Sequence, residues 1–231
     1  PVRREAMTTI RRKTAENLSR AWRIIPHVTQ FDEAEVSRLL ELRRAFAPRA
    51  EARGTKLTIT AIGLRAAAGA LRAFPKFTAS VDTAASEIVF KESIHLGVAV
   101  DTPKGLLVPV VRDADTKSIL TLAEELADLS GRAREGKLEL DEMRGATFSV
   151  SNLGGLGTTH FSPIVNWPEV AILGLGRATE RLVLEDEDIA ARSYLPLSLS
   201  YDHRLIDGAD AARFLRWLAE ALEEPAKLVF E

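Results

Sequence analysis

The stretch Tyr194-Leu195-Pro196-Leu197-Ser198-Leu199-Ser200-Tyr201-Asp202-His203-Arg204-Leu205-Ile206-Asp207-Gly208 decides the fold and holds the strongest chemical signal. Leu195, Leu197, Leu199 and Tyr201 alternate, so they share one buried face of a strand over Tyr194–Tyr201. A helical stripe follows within a few residues: Ala211, Phe214, Leu215, Leu218, Ala219 and Leu222. His203 therefore stands at a strand-to-helix junction, at a sheet end, where binding sites commonly lie. Histidine takes up a proton near neutral pH, as a general base must. Asp207 stands four residues on, where it can act as N-cap of the following helix.

Working outward, the same two periods alternate along the chain. Ile10, Thr14, Leu18 and Trp22 predict a short helix that Pro26 follows. Val36, Leu39, Leu40 and Phe46 predict a second, stopped near Pro48 or Gly54. Residues 60–74 are Ala-rich and apolar on most faces, which predicts a buried helix. Ile119, Leu122, Leu126, Leu129 and Ala133 predict an amphipathic helix with Gly136 as C-cap. Strands are expected where Ile94, Leu96, Val98 and Val100 alternate, and over Leu106–Val111, Ala146–Ser151 and Val170–Leu175. Strands and helices mix without strict βαβ order. The expected class is α+β, a mixed β-sheet flanked by helices. No fixed-period repeat and no linker divides the chain, so residues 1–231 are read as one domain.

Composition narrows the function. The chain has 231 residues, 46% hydrophobic and 28% charged, the profile of a globular protein. It carries 31 basic against 33 acidic residues, a balance that argues against nucleic acid as the main partner. No Cys is present, which excludes disulfides, thiolate metal sites and a Cys nucleophile. The four histidines form no H-x-x-x-H pair, so no metal site is expected. The longest apolar stretch, Ala61–Ala70, is too short to span a bilayer. The opening Pro1-Val2-Arg3-Arg4 has no apolar leader, and the chain reads as an excised piece of something longer. Arg3, Arg4, Arg11, Arg12, Lys13, Arg20 and Arg23 crowd the first 25 residues. They read either as a solvated helix face or as groups that bind phosphate or hold a carboxylate. His95 and His27 are expected to be structural; His160, in a Gly/Thr-rich loop, stays open. Neither Ser151-Asn152-Leu153-Gly154-Gly155-Leu156-Gly157 nor Gly174-Leu175-Gly176 makes a dinucleotide fingerprint. The Ser151 hydroxyl is a candidate donor to a developing oxyanion.

Asp202-His203-Arg204-Leu205-Ile206-Asp207-Gly208 resembles the H-x-x-x-D-G signature of chloramphenicol-acetyltransferase-like acyltransferases. With Leu197–Tyr201 before it, the stretch is similar to the dihydrolipoamide acyltransferases, the E2 components of 2-oxo acid dehydrogenase complexes. Five further segments resemble that family, in the family's order: residues 10–15, 25–29, 97–103, 147–154 and 168–174. The wording of residues 25–33 is most similar to the acetyltransferases of pyruvate complexes, which favours acetyl as the acyl group. The resemblance covers essentially the whole chain. It implies a chloramphenicol-acetyltransferase-like fold and the catalytic core alone, without the lipoyl and peripheral subunit-binding domains.

The resemblance implies transfer of an acyl group between S-acyl-dihydrolipoyl-lysine and coenzyme A. His203 would be the base for the CoA thiol and Ser151 the donor to the oxyanion. Asp207 would organise the site, paired with Arg11 or, failing it, Arg12. CoA contacts are implied at Arg43, Thr58, Asp101, Asn152 and Gly176. Coenzyme A and a lipoyl group on a separate domain are substrates; no metal is implied. The expected assembly is a homotrimer, with His203 from one subunit and Ser151 from its neighbour, built into a cubic or dodecahedral core. The apolar ending Pro225–Glu231 would dock on a neighbour. E1 and E3 components would join through the missing domains, and the location would be the cytoplasm, or the mitochondrial matrix in a eukaryote. Two rivals remain: a free CoA-dependent O-acetyltransferase of the same fold, and a scaffold without chemistry.

Overall fold

The computed structural model describes residues 2–185 and 188–230. Helix α1 (Thr9–Ile24) starts where the Thr8 hydroxyl accepts the Arg11 amide and ends ahead of Pro26. Strand β1 (His27–Glu35) follows. Its polar sequence shows no strand period, and the periodicity reading passes over it. It is a strand because all nine residues pair antiparallel with a distant one, from His27 against Asp202 to Glu35 against Tyr194. Helix α2 (Ser37–Glu51) runs through Pro48 and stops before Gly54. Helix α3 (Ile59–Ala73) is buried along most of its length, as its composition predicts.

A small hairpin, β2 (Ser80–Asp82) with β3 (Glu87–Val89), comes next. The strand expected over Ile94–Val100 is two strands. β4 (Leu96–Val98) joins the main sheet, and β5 (Val100–Thr102) turns away to pair with β6 (Gly105–Leu107). Leu106–Val111 divides likewise, between β6 and β7 (Val110–Val111). Pro109 lies in that break and has no N–H to offer a ladder. Helix α4 (Ile119–Glu135) closes on Gly136, whose φ of 70° is the left-handed C-cap conformation. Strands β8 (Phe148–Asn152), β9 (Ala171–Leu175), β10 (Thr179–Glu185) and β11 (Asp188–Asp202) precede helices α5 (Gly208–Glu223) and α6 (Lys227–Phe230). Of the apolar ending, Glu231 and the Val229 and Phe230 side chains lie outside the described residues.

The main sheet runs β1-β11-β9-β8-β4-β7, with β10 also paired to β11. β8 is parallel to β4 and β9, and the other pairs are antiparallel, so the sheet is mixed. Its two faces differ. Phe148, Val150, Leu173, Leu175, Leu197, Leu199 and Tyr201 point to one side and join the main core with α3, α4 and α5. Phe214 of α5 is central there, stacked on Phe77 with ring centroids 4.1 Å apart. The alternate residues, Ser149, Ser151, Ile172, Gly174, Ser198 and Ser200, face the other side. There Ile172 packs in a small cluster with Ala21, Ile25 and Val165.

Candidate active site

Ser151 lies near the end of β8 on the hydroxyl-rich face and opens into a cavity of about 1040 Å³. Thr58, Asp101 and Asn152, three of the expected CoA contacts, line the same cavity. The local hydrogen bonds hold this wall firmly. Asn152 donates Nδ2 to Thr60 Oγ1 at 2.9 Å, and its Oδ1 accepts the Gly154 amide at 2.8 Å. Thr58 caps α3, its hydroxyl accepting the Ala61 amide. Lys56, Ser130 and Arg134 also line the cavity. Sequence reasoning missed Lys56 and Arg134 and set Ser130 aside. The available signal is the spacing of Ser130 and Arg134, four residues apart on one face of α4.

Two expected contacts lie elsewhere. Arg43 donates Nε to the Leu57 carbonyl at 2.7 Å and lines a separate, largely apolar cavity of about 520 Å³. Gly176 is buried, and its amide already donates to the Pro196 carbonyl at 2.9 Å. A Cβ there would run into the Thr159 carbonyl, so glycine is a packing necessity.

His203 stands at the other end of the sheet. Ser151 is in register with Gly174, and Gly174 with Ser198. Ser151 is the last residue but one of β8, His203 stands just past the C-terminal end of β11, and β11 runs antiparallel to β8 and β9. His203 is thus about five residues beyond Ser198, and strand geometry puts the two on the order of 15–20 Å apart within one chain. No single chain brings both to one atom.

Around His203, the imidazole lies beside Tyr201, with ring centroids 5.8 Å apart. Asp207 occupies the N-cap position of α5 with extended backbone, but its side chain makes no cap bond; this corrects the expected capping role. Its charge reaches Tyr201, whose hydroxyl is pushed up by burial and then by Asp207. Among the described residues Arg11 is exposed and forms no ion pair with Asp207, nor does Arg12. In the basic N-terminal segment, Arg20 stacks over the Trp167 ring at 3.8 Å.

The other histidines are held by local contacts. His27 donates Nδ1–H to the Ile25 carbonyl and accepts the Val165 amide at Nε2; burial lowers its pKa. His95 accepts the Asp113 amide, and His160 meets Phe31 edge-on. Glu169, which no periodicity argument singles out, is buried and pushed up to about 7 by desolvation. The one sequence signal is a lone carboxylate heading an apolar run, Val170–Leu175. Among the described residues no cluster of His, Asp and Glu is placed to hold a metal. No described helix is long and apolar enough to cross a membrane.

The architecture is that of the chloramphenicol acetyltransferase class: that enzyme, at 18% identity, superposes on 90% of this chain with a TM-score of 0.53. The family of 2-oxoacid dehydrogenases acyltransferase (catalytic domain) matches residues 1–230, and the chain belongs to it. The acetyltransferase component of the Pseudomonas aeruginosa pyruvate dehydrogenase complex is 49% identical over 95% of the chain. The chain spans 40% of that relative's length. Two solved structures at 44% identity each match the whole chain, and 95% of their own, with a TM-score of 0.96. One is the cubic core of a pyruvate dehydrogenase multienzyme complex. The other addresses a serine, a histidine and an asparagine in the mechanism of Azotobacter vinelandii dihydrolipoamide acetyltransferase.

Proposed function

We propose that the chain moves an acetyl group between S-acetyl-dihydrolipoyl-lysine and coenzyme A, at the core of a pyruvate dehydrogenase complex. One observation carries this reading: Ser151, Asn152, Thr58 and Asp101 converge on one cavity, while His203 waits at the opposite end of the sheet. A site split this way is completed by a second copy, His203 of one meeting Ser151 of the next. The serine, histidine and asparagine of the Azotobacter enzyme have the mutual spacing of Ser151, His203 and Asp207, which supports the same roles here. An asparagine in the third place also argues that Asp207 organises the site rather than transferring protons.

The chemistry follows from the groups. A thiol with a pKa of about 8.5 is only a few per cent thiolate at neutral pH, so a base is needed. His203 takes the CoA thiol proton, and the sulfur attacks the thioester carbonyl. Ser151 donates its O–H to the oxyanion, a contact whose loss costs ~10²–10³ in turnover. The intermediate collapses, the dihydrolipoyl sulfur leaves, and the imidazolium returns the proton to it. In the cavity, Lys56 and Arg134 supply cationic charge suited to CoA phosphates. The lipoyl group arrives on its own domain, and E1 and E3 act around the assembly, in the cytoplasm or mitochondrial matrix. The solved cubic core supports a trimer-based shell.

The test is subunit complementation. His203→Ala and Ser151→Ala assemblies are each made inactive in thioester exchange between CoA and acetyl-dihydrolipoamide. Co-refolded in equal amounts, they recover activity at about one quarter of the sites, because random assembly pairs intact groups there. No recovery, with normal assembly by light scattering, would refute a shared site.

A further inference from the structure

His203 is flanked by an ion pair with an unusual span. Asp202 is 1% exposed, and both its oxygens are engaged by Arg204. Arg204 Nε donates to Oδ1 at 2.9 Å and to Oδ2 at 3.1 Å, and Nη2 donates to Oδ2 at 2.5 Å. The Arg204 amide adds a bond to Oδ1 at 3.0 Å. On the main chain, the Asp202 carbonyl accepts the Leu205 and Ile206 amides, and the His203 amide donates to the Pro26 carbonyl at 3.1 Å.

The partners are two residues apart, so the pair closes no long loop and ties no distant element to another. What it constrains is the single residue between them. A forked guanidinium on a buried carboxylate is a directional contact, and it leaves the turn one arrangement rather than several. The His203 main chain is thereby held from both sides and by Pro26, just ahead of β1, and the imidazole starts from a fixed origin.

We propose that Asp202 and Arg204 are positioning residues that hold His203 for proton transfer; this rests on the acyl-transfer reading above. Neither needs to touch substrate. Their effect is geometric, and a displacement near 1 Å at such a base costs on the order of 100-fold in rate.

The decisive variant is Arg204→Lys, which keeps the charge and loses the fork. Kinetics and crystals of the whole assembly are compared with the parent chain. The expected kcat falls about 10- to 100-fold while KM for CoA stays within twofold. Crystals are expected to show the His203 ring displaced or split between rotamers. Asp202→Asn, which keeps shape and one acceptor, is expected to fall less far than Arg204→Lys. An unmoved ring in Arg204→Lys, or kcat within threefold of the parent, overturns the proposal. So does failure of both variants to assemble, which would make the pair a folding element only. A parent chain inactive in thioester exchange would sink the functional reading instead, and the crystal comparison would still decide the clamp.

Discussion

Replacing Glu169 by Gln should stabilise the protein in a strongly pH-dependent way. The carboxyl lies just before β9. Its Oε1 accepts a hydrogen bond from the Asn166 side chain (Nδ2) at 2.8 Å, but Oε2 has no hydrogen-bond partner, and the nearby Ser149 Oγ has none either. Burial pushes it up to about 7 from an ordinary 4.5, against the opposing pull of Ser149, Asn166 and the Lys91 cation. Below about pH 4.5 the folded and unfolded chains both hold the proton, and the group has no effect on the pH dependence. Between 4.5 and about 7 the unfolded chain releases the proton and the folded chain keeps it. Stability is lost across that window and levels off above it. The gap corresponds to ~3 kcal/mol.

A glutamine side chain in this place has the same shape, never ionises, and can donate to Ser149. Glu169→Gln should therefore match the parent near pH 4.5 and exceed it by up to ~3 kcal/mol at pH 8, or about 6–12 °C in Tm. Half-buried Lys91, which burial already lowers, loses a favourable neighbour and trims the gain. Thermal and urea melts at pH 4.5, 6, 7 and 8, at matched assembly state, measure this. A difference between variant and parent that stays flat across the series would refute the reasoning.

Two further outcomes are expected. Ser118 accepts the Thr121 amide at the N-terminus of α4, away from the Ser151 cavity; Ser118→Ala should cost ~1 kcal/mol and lower Tm by about 2–4 °C with kcat unchanged. Gly176→Ala would drive a methyl into the Thr159 carbonyl and onto the Pro196 ring. It should cost about 1–3 kcal/mol in thermal melts, and an unchanged Tm would mean that the Thr159 loop yields freely.

Much of the fold was legible because local period and burial agree. The α5 stripe from Ala211 to Leu222 is buried at every position read from the sequence. The α3 and α4 stripes and the Gly136 cap also stand where expected. What escaped is what distant partners decide. β1 is polar and becomes a strand through β11, and β4 and β5 part because Ala99 donates its amide to Val150 and the chain then changes partners. The site was legible in its residue types but not in its grouping. Thr58, Asp101, Ser151 and Asn152 meet in one cavity, whereas Arg43 is held behind the Leu57 carbonyl.

By itself the sequence determined the helix stripes, the alternating strands and the family, and it singled out His203 and Ser151 as candidates, because these depend on side-chain type and short-range spacing. Only the tertiary structure decided that Ser151 and His203 stand at opposite ends of one sheet. Strand direction and register are properties of pairing between segments far apart in the chain, and no local pattern encodes them.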